Sequence, residues 1–141
     1  MGISKIYYMN NNQSNRPTTI EPDGTQEWKV NGFLHRENGA AIIEAVGTQE
    51  WYINDRLHRE DGPARVNVDG TQEWWINGLP HREDGPAIFG PNGEEWYRNG
   101  VLHREDGPAR VYADGTQEWW INGKCHREDG AAIIKSDGTQ E

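Results

Sequence analysis

Trp28, Trp51, Trp74, Trp96 and Trp119 stand 22 or 23 residues apart, and each opens a near-copy of one unit. The units 28–50, 51–73, 74–95, 96–118 and 119–141 tile the chain after its first 27 residues. A unit this short cannot bury a core of its own, so copies must stack and share one. The repeat therefore constrains the fold more than any other feature.

Spacing within the unit fixes its turns. Each Trp is followed seven residues later by His (28 to 35, 51 to 58, 74 to 81, 96 to 103, 119 to 126). Four residues on comes Gly, and eight further on a second Gly. Asn31-Gly32, Asn77-Gly78, Asn99-Gly100 and Asn122-Gly123 are type I′ hairpin signals, and Asn54-Asp55 holds that place in the second unit. After Asp-Gly-Pro the pattern alternates: Ala64, Val66 and Val68 on one face, Arg65 and Asn67 on the other. Period two means strand, and Gly and Pro recur too often for an ordinary helix. Each unit reads as two or three short strands, starting near the Trp. The third unit lacks one residue between Gly93 and Trp96, and that loss belongs in a turn, because a slip inside a strand would flip every later side chain.

The fold class is therefore all-β: tandem hairpin repeats forming an elongated twisted antiparallel sheet or β-solenoid. Residues 1–27 read as a degenerate capping repeat, with Thr18, Ile20 and Asp23-Gly24 at the spacings of Ala64, Val66 and Asp69-Gly70. Tyr7 and Asn10 fall near the Trp and Asn positions of that worn unit. Only 33% of residues are hydrophobic, but seven Trp and five Tyr supply the buried area that such a chain otherwise lacks.

Two rows of side chains are candidates for binding. Trp28 and Val30, with their counterparts, share one face and read as core. The opposite face carries Lys29, Tyr52, Trp75, Tyr97 and Trp120, and the last four form a candidate exposed aromatic stripe. The second row is the His-Arg-Glu-Asp segment, whose candidate residues are His58, Arg59, His81, Arg82, His103, Arg104, His126 and Arg127. Three readings of it stand side by side. In a structural ladder, Arg pairs with an acid of the next unit, His bonds a backbone group and Asp braces the turn. A metal site would use one His and two carboxylates per unit, although zinc and EF-hand spacings are missing. A ligand site would bind a phosphorylated or nucleotide-like molecule against Trp. Five near-identical acid–base sets do not make a differentiated active site, so no catalytic residue, metal or cofactor is expected and the chain reads as a non-enzyme.

The net charge of −9 and the lack of a basic cluster argue against nucleic-acid binding and suit a basic protein partner. No stretch approaches the ~20 apolar residues of a membrane span. Cys125, the single cysteine, follows the apolar positions Leu34, Leu57, Pro80 and Leu102, and reads as packing. With no signal-peptide pattern at the start, the expected location is cytoplasmic.

The W-x-x-N-G-x-x-H-R-x-D-G-P-A pattern, with D-G-T before each Trp, resembles the variant form of the MORN-type repeat family. Trp74-Trp75-Ile76-Asn77-Gly78 and Trp119-Trp120-Ile121-Asn122-Gly123 carry the likeness best, and it covers 28–141. The resemblance implies a single-layer sheet of hairpins and a scaffolding role toward proteins or lipids. Similar repeats in phage, giant-virus and bacterial proteins add the expectation of a small viral inhibitor of a host factor. The fixed His-Arg-Glu-Asp segment departs from the usual Gly- and Tyr-rich pattern. Two alternatives accompany the protein-interaction module: head-to-tail self-assembly through terminal strand edges, and a small-molecule sponge using His, Arg and Trp between units.

Overall fold

The computed structural model describes residues 15–141. They form an all-β, elongated open sheet of 21 short strands. The expectations on Tyr7 and Asn10 lie outside the described residues.

Each of the first four units contributes four strand segments, more than the two or three expected, and the unit 119–141 contributes three. In the second unit they are Tyr52–Ile53, Arg56–Leu57, Arg65–Val66 and Gln72–Glu73. The extended segment starts at Gln-Glu, two residues before the Trp. The Trp is a crossing point between two ladders. The Trp51 N–H donates to the carbonyl of Ala64 (2.7 Å), while its own carbonyl accepts from His58 N (3.0 Å). Residues before the Trp therefore join one ladder and residues after it join another.

The first ladder is an 11-stranded antiparallel meander from Thr19–Ile20 to Ile133–Ile134. At ~4.8 Å per strand it is about 48 Å long. The second ladder is a row of five hairpins such as Trp75–Ile76 with Leu79–Pro80. Neighbouring hairpins are stitched by the backbone: Gly78 N donates to Leu57 O, Gly100 N to Pro80 O and Gly123 N to Leu102 O, each at 2.9 Å. The turns have the type I′ geometry read from Asn-Gly, with φ of 51° at Asn77 and 78° at Gly78. Asp55 takes the same left-handed conformation (φ 60°), and its carboxylate accepts from Leu34 N at 2.5 Å.

The one-residue loss does fall in a turn, but at 90–93, ahead of the place expected between Gly93 and Trp96, where Gly93–Glu95 is strand. Asn67 N donates to Thr71 O around a three-residue tip, whereas Gly90 pairs Gly93 around only two residues. The faces are preserved: Ile88 opposes Glu95 as Arg65 opposes Glu73.

The core is thin. Ala41, Ala64, Ala87 and Ala109 are completely buried, and Trp28 nearly so. Trp51, Trp74, Trp96 and Trp119 are half-buried. The alternation Ala64, Val66, Val68 is thus graded from buried to 64% exposed, because Val68 sits at a turn tip. Among the described residues no helix is long and apolar enough to cross a membrane.

Candidate functional site

The His-Arg-Glu-Asp loop folds back over the Trp of its own unit. Arg36, Arg59, Arg82, Arg104 and Arg127 each lay their guanidinium over the indole of Trp28, Trp51, Trp74, Trp96 or Trp119, at 3.9–4.3 Å from the ring. On the outer side of the guanidinium lies the loop glycine. A Cβ on Gly85 would stand 2.8 Å from Arg82 Cζ. The fixed Gly therefore makes room for a Trp–Arg–Gly sandwich, which the sequence spacing alone did not reveal.

The guanidinium donors are spent locally. Arg59, Arg82, Arg104 and Arg127 donate Nε–H to Asp61, Asp84, Asp106 and Asp129 of the same unit at 2.8–3.0 Å. These bonds hold the four carboxyls below the usual carboxylate range. Arg59, Arg82 and Arg104 also reach the carbonyls of Pro63, Pro86 and Pro108. The expected pairing of Arg with an acid of the next unit is thus corrected: the chain reaches its own unit's Asp two residues on, because the guanidinium is pinned over its own Trp. The side-chain hydrogen bonds of this segment that cross to the next unit come from His, while Arg104 also lies 3.8 Å from Glu94 of the preceding unit. His58, His81 and His103 each accept at Nδ1 from the N–H of Asn77, Asn99 and Asn122 at 3.0–3.1 Å. Each His thereby anchors the hairpin turn of the following unit. His126 lies in the last unit and is exposed. With Arg127, Trp119 and the loop 104–108 it borders an open groove at that end of the row. Cys125 is exposed at its edge, not packed; residual burial and the nearby Glu118 raise its thiol pKa. Among the described residues no three His, Cys, Asp or Glu are grouped to hold a metal ion.

The opposite face carries the aromatic row. Tyr52, Trp75, Tyr97 and Trp120 share that face but are half-buried, less open than their reading as an exposed stripe. Each is fixed by the acid two residues before it. Tyr52 Oη and Tyr97 Oη donate to Glu50 and Glu95 at 2.8 Å. Trp75 Nε1 and Trp120 Nε1 donate to Glu73 and Glu118 at 2.9 Å. Burial and the Glu50 carboxylate together push the Tyr52 phenol up to about 12.

Between these acids stand two arginines that the sequence reading left without a role. Arg65 contacts Glu50 at 3.2 Å and Glu73 at 3.5 Å. Arg110 contacts Glu95 at 3.0 Å and Glu118 at 3.5 Å. Burial opposes the charge on Arg110, but its bonds to Tyr112 and Glu95 outweigh that and raise its pKa. Strand register makes these neighbours of residues 15 apart, as with Glu50 and Arg65. The same position holds Ile42, Ile88 and Ile133 in the other units, and Tyr alternates with Trp in step. The 22–23-residue repeat is thus modulated by a two-unit period, visible in the sequence once units are aligned in pairs.

No protein-family model matches this chain, and no curated protein matches it.

Proposed function

We propose that this chain is a non-catalytic protein-interaction module that meets a basic partner through its flat aromatic face. The observation that carries this reading is the row Tyr52, Trp75, Tyr97 and Trp120. It sets one ring from each of four successive units on a single face, each ring held by a carboxylate, at intervals of about two strand spacings, ~10 Å. Rings fixed in advance lose little rotamer freedom when a partner covers them. The carboxylates around them outnumber the arginines, which favours a cationic partner surface. The resemblance to MORN-type scaffolds points the same way. By contrast, the arginines of the His-Arg-Glu-Asp loops each bond the Asp of their own unit, which favours a structural role for that segment.

The test is native mass spectrometry of the gently purified protein from cells where it acts, beside a Trp75→Ser, Tyr97→Ser variant whose fold is checked by circular dichroism. A complex with a second protein that the folded variant loses supports the reading. A partner retained in full by the variant, or a mass ladder of this chain alone, overturns it.

A further inference from the structure

Ile42, Ile88 and Ile133 occupy the position where Arg65 and Arg110 bridge two acids, and Ile88 is the one with such an arginine bridge on either side. Arg65 fills the position between Glu50 and Glu73, and Arg110 fills that between Glu95 and Glu118. The equivalent position between Glu73 and Glu95 holds Ile88, which directly opposes both acids across its two neighbouring strands. The units on either side show what this geometry accommodates: one guanidinium reaching carboxylates on two flanking strands.

A cavity of about 200 Å³ opens beside Ile88, bordered by Gly90, Gly93, Glu95, Arg110 and Tyr112. It lies next to the shortened turn, where two glycines replace side chains. The charge is unbalanced there. Four acids, Glu50, Glu73, Glu95 and Glu118, share only two arginines along this stretch, and each of the two acids facing Ile88 contacts just one of them. Glu95 has the more reachable carboxylate, with its side chain 31% exposed against 13% for Glu73. Trp75 and Tyr97 sit on the same face and offer rings for stacking.

We propose that this notch receives an arginine side chain of a partner protein, which completes over Ile88 the bridge that Arg65 and Arg110 make beside it. The proposal rests on the interaction-module reading and names the partner's contact group. Arginine fits better than lysine, because its planar fork can address two carboxylates and lie against a ring, whereas an ammonium is a point charge.

The experiment uses the full chain with ¹³C-labelled isoleucine methyls, titrated with a Gly/Ser peptide carrying one arginine. Matched peptides carry citrulline or lysine instead. Saturable shifts at Ile88 with arginine, none with citrulline and about tenfold weaker binding with lysine are expected. Ile88→Arg installs the residue that alternate units already use, so it should fold and abolish the saturable binding. Arg65→Ile should open a further, equivalent site and raise the stoichiometry. If Ile88→Arg does not fold, Glu95→Gln serves instead and should weaken binding about tenfold. An Ile88 methyl that does not respond, or a folded Ile88→Arg chain that binds the peptide unchanged, overturns the proposal. A natural partner held equally well by Ile88→Arg would overturn the arginine site and leave the interaction module standing. Peptide binding at Ile88 in a protein that forms no complex in native mass spectra would overturn the module and leave the site.

Discussion

Replacing Arg82 by Ala tests the claim that the His-Arg-Glu-Asp segment is a clamp. Arg82 sits 4.0 Å from the Trp74 ring, with its side chain 26% exposed. At that degree of desolvation a cation–π contact is worth about 1–2 kcal/mol. Its bond to the Pro86 carbonyl (3.3 Å) adds about 1 kcal/mol. The Asp84 partner is 85% exposed, so that ion pair adds little. The expected loss is about 2–3 kcal/mol, read from urea unfolding by tryptophan fluorescence and circular dichroism. Asp84→Ala should cost far less than Arg82→Ala in the same melt, because the carboxylate is exposed. Arg82→Lys keeps the charge without the fork and should recover less than half of the loss. Gly85→Ala should destabilise the wild-type chain by pressing a methyl against Arg82 Cζ, yet be nearly neutral in the Arg82→Ala background. An Arg82→Ala variant as stable as wild type, or additive behaviour of Arg82→Ala and Gly85→Ala, would refute the sandwich as the source of stability.

Three further outcomes follow from the geometry. Gly93→Ala would set a Cβ 2.0 Å from the Val111 carbonyl oxygen at a φ of 128°, and should cost about 3 kcal/mol or more by denaturant melt, whereas Gly70→Ala, with open space around it, should cost about 1–2 kcal/mol. Asp61, Asp84, Asp106 and Asp129 have folded pKa values below their unfolded ones. Their contribution is therefore present above about pH 4 and lost as pH falls through the folded values, so exchanging all four for Asn should flatten the acid limb of a melting-temperature profile. Tyr52, raised to about 12, contributes stability that is complete below about pH 10 and lost as pH rises toward 12, so Tyr52→Phe should remove part of the alkaline limb in the same profile.

Turn chemistry was legible in the sequence because it is local. Type I′ turns require positive φ at both central positions, and the structure has it at the four Asn-Gly pairs 31–32, 77–78, 99–100 and 122–123, with Asp55 substituting for Gly at the cost of a left-handed Asp. The deletion before Trp96 could be assigned to a turn for a similar reason, since the pleat forbids a slip within the strands. Period-two alternation assigns Tyr52, Trp75, Tyr97 and Trp120 to one side of their strands. Their exposure was not legible. How far a ring is covered depends on the Glu and Arg that neighbouring strands bring beside it. The Arg of His-Arg-Glu-Asp was assigned to the wrong acid for the same kind of reason. Spacing says that Arg59 and Asp61 are near each other, but only the loop's fold over Trp51 decides that Asp61 outcompetes an acid of the next unit.

The sequence by itself thus determined the repeat, the strand class, the turns and the two faces, because these follow from φ preferences and a period of two. Tertiary structure alone decided which residues meet. Strand register brings Arg65 between Glu50 and Glu73 and leaves Ile88 between Glu73 and Glu95. Loop closure puts each guanidinium between its Trp and its Gly. Register is a property of the stacked units together, and closure, although it joins residues of one unit, depends on the path the loop takes over the Trp and not on spacing along the chain.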